Sequence, residues 1–289
     1  QYKNISLNDQ IFYIIFSFIL IPLLISPPYF LSIYNISLLN AYFESVSGFT
    51  TTGFSIIKNV KEIDEPLLLW RSSSQWLGGL FFLIATIGTI GSNQIKIKPG
   101  YLVSREASGI NFYNNFNYNF IRILLIYFFS TIFVIFLYNL INIRLLDAFN
   151  LAFTTISSGG FLPTGNLPSI LSSNLQVFVL ALTLLFPIFN FYLLFNIFSR
   201  KFLFKNHQED LHLAILVILL TLLFYFFIIP NEGIANVFLS ITSSISTSGI
   251  STYSSNFDLS LFFILLTIVG GSLISTSSGF KYIRFYILL

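Results

Sequence analysis

Three segments of the chain combine hydroxyl side chains with glycine in a pattern that could bind a dehydrated cation. They are AYFESVSGFTTTGFS from residue 41, AFNLAFTTISSGGFL from residue 148 and VFLSITSSISTSGIS from residue 237, and they align without a gap. Gly53, Gly160 and Gly249 occupy the same position in the three copies. Main-chain carbonyl oxygens can replace the water around a cation, and glycine allows the positive φ angles that such a backbone needs. The repeat therefore predicts an ion pathway lined by carbonyl oxygens.

The candidate ion filter is the tripeptide that ends at each aligned glycine. Its residues are Thr51, Thr52, Gly53, Ser158, Gly159, Gly160, Thr247, Ser248 and Gly249. Within this set, we expect a dehydrated monovalent cation to bind at Thr52, Gly53, Gly159, Gly160, Ser248 and Gly249. The tripeptides carry no carboxylate, which argues against a divalent ion because calcium sites favour carboxylate oxygens. Small residues can also form a helix-packing face, but three copies at the same position favour a pore.

The elements that hold these segments are predicted to be membrane helices. Hydrophobic residues make up 55% of the chain, charged residues make up 9%, and the mean hydropathy is +0.83. A soluble domain usually carries about 25% charged residues, so lipid is the expected surrounding. The apolar runs predict membrane spans at 11–33, 66–92, 120–142, 174–199, 210–230 and 258–288. Each repeat segment lies between two spans and is too short to cross alone, which predicts a re-entrant pore helix.

The fold class predicted from this order is an all-α membrane protein built from parallel repeats of helix, pore helix, filter loop and helix. The predicted units are 1–98, 99–206 and 207–289. Lysine and arginine are concentrated in the links between units, so the positive-inside rule predicts a multi-pass protein of the cell inner membrane with a cytoplasmic N-terminus. The lipid bilayer is therefore one partner, and the lack of a basic run argues against nucleic acid as another.

Four motifs give the chain a resemblance to a known family. They are ESVSGFTTTGFS from residue 44, LWRSSSQWLGGL from residue 69, SSGGFL from residue 157 and GGSLISTSSGFKYIR from residue 270. The chain resembles the TrkH/KtrB superfamily of potassium-translocating membrane subunits and is more similar to TrkH. The resemblance implies four units around one pseudo-fourfold pore, with three in this chain and the fourth outside residues 1–289. It also implies K+ as the transported ion without a bound cofactor, homodimers, and a cytoplasmic nucleotide-binding regulatory subunit of the TrkA/KtrA type.

The last predicted span is interrupted by small polar residues. They are Gly270, Gly271, Ser272, Ser275, Thr276, Ser277, Ser278 and Gly279. Such runs at membrane depth tend to break a helix where it lines a cavity, although a helix-packing face is the alternative. The resemblance implies that this segment is an intramembrane gating loop below the filter. Ser278 stands where glycine is common in that family.

Several polar residues near the repeats have more than one explanation. Arg71 is expected to pair with a carboxylate or to reach the membrane surface. Glu44 could raise the cation concentration at the pore entrance, or it could brace the first pore helix against Arg71. Gln75, Trp76, Gly78 and Gly79 are expected to serve packing around that helix.

A cluster of titratable residues lies near the start of the fifth predicted span. His207, Glu209, Asp210 and His212 have poor spacing for a metal site, so a solvated face is favoured. In the fourth span, Pro187 is expected to produce a kink.

Other functions are weaker alternatives on the sequence. A secondary transporter for Na+ or another small solute, using a discontinuous-helix site, would usually need inverted repeats or buried carboxylates for coupling. An enzyme is not expected, because the chain lacks cysteine and shows no paired carboxylates or nucleophile with a base. The sequence leaves the choice between potassium and sodium open.

Overall fold

The computed structural model describes residues 7–57, 59–90, 116–198, 207–230, 232–251 and 259–288. Within these ranges, all regular secondary structure is helical. The helices are α1 (Leu7–Ile25), α2 (Pro27–Phe30), α3 (Leu38–Phe49), α4 (Glu65–Ile90), α5 (Phe116–Leu140), α6 (Leu145–Ser157), α7 (Asn174–Thr183), α8 (Leu185–Ile188), α9 (Phe191–Phe198), α10 (Gln208–Leu223), α11 (Ile234–Ser246), α12 (Ser260–Val269) and α13 (Tyr282–Leu288). The predicted all-α class is confirmed.

The lipid-facing helices are recognisable by length, hydropathy and exposed apolar surface. Among the described residues, three helical segments are long and apolar enough to cross a membrane: Asn8–Phe30, Phe120–Leu140 and Gln208–Ile228. Their outward faces carry large exposed side chains such as Phe12, which is 65% exposed, and Leu219, which is 61% exposed. Water would penalise this much exposed apolar surface, whereas lipid tails accommodate it.

The predicted re-entrant helices are α3, α6 and α11, which have 12, 13 and 13 residues. Each is too short to cross the bilayer at 1.5 Å rise per residue. Ser37 begins α3 as an N-cap whose side chain accepts the Asn40 amide hydrogen. The aligned bulky residues Phe49, Ile156 and Ile245 are all buried, so the same face of each short helix points into the protein.

The fourth predicted span, 174–199, is interrupted close to Pro187, so the kink predicted there is confirmed, but the interruption is larger than a kink. The segment forms three helices, α7, α8 and α9. The helix is interrupted at Leu184 and again at Phe189–Asn190. Pro187 lacks an amide hydrogen, which weakens the helix there. The break persists because the Pro187 and Ile188 carbonyls accept amide hydrogens from Ser277 and Ser272, in the interruption of the last span. Two broken helices therefore satisfy each other's backbones inside the membrane, as bilayer energetics requires.

Helix α4 lies between the first two pore helices and contacts both of them closely. A Cβ at Gly78 would lie 2.9 Å from Phe49 Cα at the end of α3. A Cβ at Gly79 would lie 2.8 Å from Ser157 Cβ at the end of α6. These glycines allow one helix to approach two helix ends, which confirms the packing role predicted for them.

We expect Gly78→Ala to destabilise the protein by about 1–3 kcal/mol, because the new methyl group would overlap Phe49 backbone atoms that cannot easily move. The measurement is the thermal midpoint of the detergent-solubilised protein by size-exclusion chromatography. Gly165→Ala is the matched control, because no described atom lies within 4 Å of the added methyl group there. Equal midpoints for the two variants would contradict the close approach.

Candidate ion pathway

All three pore helices end with the same backbone motif. The first residue of each predicted filter tripeptide is left-handed, with φ angles of 55° at Thr51, 57° at Ser158 and 63° at Thr247. The amide of the following residue donates a hydrogen bond to the helix carbonyl five residues earlier. The bonds run from Thr52 to Ser47 at 3.0 Å, from Gly159 to Thr154 at 2.9 Å and from Ser248 to Ser243 at 3.0 Å. This is a Schellman termination, which usually employs glycine at the left-handed position. Threonine or serine there costs about 1–2 kcal/mol, a strain that is typical of functional sites.

The aligned glycines supply a second positive φ angle two residues further on. The values are 83° at Gly53, 79° at Gly160 and 66° at Gly249. Conformations of this kind are accessible to glycine without a steric penalty. The prediction that the repeat needs positive φ at glycine is confirmed in all three copies.

The three filter tripeptides meet one another. A Cβ at Gly53 would lie 2.5 Å from the Gly159 carbonyl oxygen, and one at Gly160 would overlap the Ser248 carbonyl oxygen. The carbonyls of Gly159 and Ser248, which precede Gly160 and Gly249, thus lie against the glycines of the preceding loops, Gly53 and Gly160. At Gly249, no described atom beyond its chain neighbours lies within 4 Å of the corresponding position. The second loop therefore lies between the first and the third, and these contacts do not join the first loop to the third.

Hydroxyl groups from the pore helices brace the filter loops. Ser47 Oγ donates to the Phe54 carbonyl at 2.5 Å, and the aligned Thr154 Oγ1 lies 2.6 Å from the Phe161 carbonyl. In the third copy, Ser243 Oγ pairs instead with Ser248 Oγ at 3.1 Å. These bonds connect the last turn of each helix to its own loop and restrict the loop's conformation.

Gln75 of α4 is a filter contact that the sequence interpretation missed. Its Nε2 donates to the Gly159 carbonyl at 2.5 Å, and its Oε1 accepts from the Phe161 amide at 3.2 Å. Thr154 Oγ1 lies 2.7 Å from the same Oε1. The amide is fully buried, and a buried amide inside a membrane must find such partners. An amide side chain within an apolar span is the sequence signal that could have predicted this contact, because such a side chain needs polar partners.

Arg71 and Glu44 form a buried ion pair behind the first two filters. Arg71 Nε lies 3.0 Å from Glu44 Oε1, and Arg71 Nη2 donates to Ser55 Oγ at 3.0 Å. Glu44 Oε2 accepts the Ile56 amide hydrogen at 3.1 Å. The guanidinium also stacks 4.3 Å from the ring centroid of Phe161 in the second loop. The predicted pairing of Arg71 with a carboxylate is confirmed, and Glu44 is enclosed rather than facing a pore entrance.

The interruption of the last span forms a loop directly beside the filter. Helix α12 ends at Gly270, whose φ is 66° and ψ is −167°, a conformation open mainly to glycine. Thr276 Oγ1 donates to the Ile156 carbonyl at 2.7 Å, and the Ser278 amide donates to Thr247 Oγ1 at 2.8 Å. The predicted break is confirmed, and the loop joins both the second pore helix and the third filter. Its action as a gate stays a prediction.

The prediction of a solvated face at His207, Glu209 and Asp210 is wrong. All three side chains are buried. Asp210 Oδ1 accepts the Asn190 amide at 2.8 Å, and Glu209 Oε1 accepts the Leu273 amide at 3.1 Å. These carboxylates serve the two broken spans, whose free amide hydrogens have no helical partner. A polar cluster at a span end does not by itself distinguish this role from solvent exposure.

A family model described as TrkH, cation transport protein, matches residues 4–243. The chain belongs to the TrkH family. It is 29% identical to the Trk system potassium uptake protein TrkI of Halomonas elongata, over 94% of this chain and 56% of that protein. It is 26% identical to the uncharacterized cation transporter MJ1485 of Methanocaldococcus jannaschii, over 99% of this chain and 60% of that one.

A solved structure has the same fold as this member of the TrkH family. The potassium transporter TrkH from Vibrio parahaemolyticus matches with a TM-score of 0.82 and 22% identity, over 100% of this chain and 62% of that chain. The chain therefore spans about 55–62% of the length of the relatives it matches. The likeness supports the repeat architecture of membrane helices and pore helices.

We expect Glu44→Gln to lower stability by about 3–5 kcal/mol, because it leaves the buried Arg71 guanidinium without its counter-charge. The thermal midpoint in detergent is the measurement. Glu65→Gln is the matched control: its partner Arg144 is 64% exposed and Glu65 is 53% exposed, so the loss should stay below about 1 kcal/mol. Similar losses in both variants would exclude a special role for the buried pair.

Proposed function

We propose that this chain is the pore-forming part of a potassium uptake system of the cell membrane. The observation that carries the proposal is the meeting of the three filter tripeptides, each with a left-handed hydroxyl residue followed by a positive-φ glycine. Loops of this kind can present carbonyl and hydroxyl oxygens to an ion that has lost its water. Because the tripeptides carry no charge, a monovalent cation fits better than a divalent one.

The potassium ion is proposed on the strength of the relatives. Two of them, TrkI of Halomonas elongata and TrkG of Escherichia coli, are named Trk system potassium uptake proteins. We propose the K+ contacts at Thr52, Gly53, Gly159, Gly160, Ser248 and Gly249, as the sequence predicted. The Gly159 oxygen retains one free lone pair beside its bond from Gln75, so that bond leaves it available as a ligand.

The assembly around this chain is also a proposal. The units 1–98, 99–206 and 207–289 would be three of four around one pore, and a further segment of the same kind would lie beside Gly249. The partners would be a second copy of the protein and a cytoplasmic nucleotide-binding subunit of the TrkA/KtrA type. The cytoplasmic location of the N-terminus is inferred from the positive charges of the links between units. These charges lie outside the described residues and include Lys96, Lys98, Arg105, Arg200, Lys201 and Lys205.

One structural feature favours the alternative of a secondary transporter for Na+ or another small solute. The breaks at Phe189–Asn190 and Gly270–Gly279 face each other, and paired discontinuous helices often form transporter sites. The amide hydrogens and carbonyls at these breaks are largely engaged with one another. Fewer backbone groups are therefore left for a solute, and the pore is the better supported function.

The test is growth of a potassium-uptake-deficient bacterium on limiting potassium, using the full-length gene with its regulatory partner. Wild type should restore growth and Gly53→Ala should abolish it. The added methyl group would displace the Gly159 carbonyl, and alanine would be strained at the positive φ of this position. Gly249→Ala should be milder, since it adds φ strain of about 1–2 kcal/mol in open space. Gly165→Ala should leave growth unchanged, and membrane abundance of every variant is measured by immunoblot.

Two results would contradict the proposal. If the wild-type protein reaches the membrane and does not restore growth, the proposed role in potassium uptake is wrong. Gly53→Ala that grows like wild type would mean that the loops pack helices and form no filter. Direct uptake of sodium by the wild type, without potassium uptake, would favour the alternative transporter.

A further inference from the structure

The three filter loops differ in what holds the carbonyl at the middle position of each tripeptide. The Gly159 carbonyl accepts a hydrogen bond from Gln75 Nε2 of α4 at 2.5 Å. Within the described part of the chain, the aligned Thr52 and Ser248 carbonyls accept no hydrogen bond. Among these three loops, the second is therefore the one whose middle carbonyl is held by a side chain from outside the loop.

The orientation of the Gln75 amide follows from two partners of opposite kind. The Phe161 amide can only donate, so it requires the Gln75 oxygen, which lies 3.2 Å away. The Gly159 carbonyl can only accept, so it requires the Gln75 NH₂ group. Turning the amide over would break both bonds and leave buried groups without partners, which is costly. The backbone of the second loop thus aims the Gln75 donor at the filter carbonyl.

The glycine at position 159 is explained by Gln75 rather than by backbone strain. The aligned positions of the other two loops carry hydroxyl side chains, Thr52 and Ser248. Gly159 has no positive φ angle, so its backbone does not require glycine. A Cβ there would lie 2.8 Å from Gln75 Cβ and would overlap Gln75 Cδ. In the second loop, the amide of a neighbouring helix therefore occupies the space of the hydroxyl side chain.

A hydrogen-bond donor on a ligand carbonyl changes how that carbonyl interacts with ions of different size. The partly positive hydrogen beside the oxygen reduces the negative potential that the ion meets. A smaller ion approaches the oxygen more closely and gains more from a strong field, so a weaker oxygen penalises sodium more than potassium. The same bond anchors the oxygen and resists the inward movement that contact with a smaller ion needs. Both ligand field and cavity size contribute to selectivity, and both effects here favour potassium.

We propose that Gln75 is a positioning residue that sets the preference of the pathway for potassium over sodium, by anchoring the Gly159 carbonyl and weakening its field at the ion. This inference rests on the proposed function and names a side chain that determines the ion selectivity of that same site. Gln75 is fully buried, so it acts on the ion through Gly159 and does not touch it.

The first test compares Gln75→Leu with wild type in membrane vesicles that contain the full-length protein and its regulatory partner. The measurement is the ratio of radioactive rubidium uptake to radioactive sodium uptake, with rubidium as the substitute for potassium. Leucine is apolar and has no donor, so the ratio should fall about tenfold, the factor that corresponds to one hydrogen bond. A ratio equal to that of wild type, at normal membrane abundance, would overturn the proposal.

Ser72→Ala is the matched control. Ser72 Oγ donates to Asn150 Oδ1 at 2.6 Å, so this variant also removes a buried hydrogen bond between α4 and the second pore helix, α6. The bond does not involve a filter carbonyl, so the ion ratio should equal that of wild type whatever the total uptake. An equal fall of the ratio in both variants would show that looser packing lowers the selectivity, and would overturn the role of the Gln75 donor.

A second readout needs no ion flux. An ion that binds the folded protein raises its thermal midpoint, so potassium chloride should stabilise the detergent-solubilised wild type more than sodium chloride does at the same concentration. Gln75→Leu should reduce this difference between the two salts, because the freed carbonyl can approach sodium. No difference in wild type, or an unchanged difference in the variant, would contradict the proposal.

The two readouts separate the role of Gln75 from the proposed function. If wild type takes up neither ion but shows a potassium-specific stabilisation that Gln75→Leu reduces, the role of Gln75 is supported and the role in potassium uptake is wrong. If uptake of rubidium is confirmed and the ratio is the same in both proteins, the proposed function stands and the role of Gln75 is wrong.

If Gln75→Leu fails to fold, Gln75→Glu takes its place, because it keeps an oxygen for the Phe161 amide. At alkaline pH its carboxylate has no hydrogen to donate to Gly159, and its negative charge strengthens the field at the ion. The ratio of rubidium to sodium uptake should therefore fall below that of wild type at the same pH. An equal or higher ratio would contradict the proposal.

Discussion

The proposed ion pathway depends on one backbone constraint: each pore helix must stop abruptly and turn its chain towards the other loops. The left-handed residue at Thr51, Ser158 and Thr247 provides this turn, and the positive φ of the following glycine completes it. Two helix carbonyls are satisfied by the Schellman bonds at each end. The remaining polar groups of the loop can then face other loops or an ion.

Because the bilayer offers no water to buried polar groups, everything around the filters must supply its own partners. Gln75 bonds the second loop, and the Glu44–Arg71 pair holds the first loop through Ser55 and contacts the second through Phe161. Each of these side chains lies on an element other than the loop it holds. The filters are therefore positioned by the helices behind them, so their geometry depends on the packing of α3 and α4.

The broken fourth and sixth spans form one structural unit. The interruption in the last span donates Ser272 and Ser277 amides to the carbonyls at the α8 terminus, while Glu209 and Asp210 bind amides on either side. The same interruption contacts the second pore helix through Thr276. A movement of this loop would disturb bonds to the filter region and to the fourth span together, which gives the loop a physical route to influence ion passage.

The sequence by itself determined the membrane class, the re-entrant helices, the aligned glycines and the break at Gly270–Gly279, because these follow from local spacing and hydropathy. Only the tertiary structure decided the order of the loops, the bond from Gln75 to Gly159, and the burial of Glu209. It also decided the double break of the fourth span. The reason is physical: a buried polar group takes whichever partner folding brings near, and many of those partners lie far away in the chain. Local periodicity carries no information about such distant pairs.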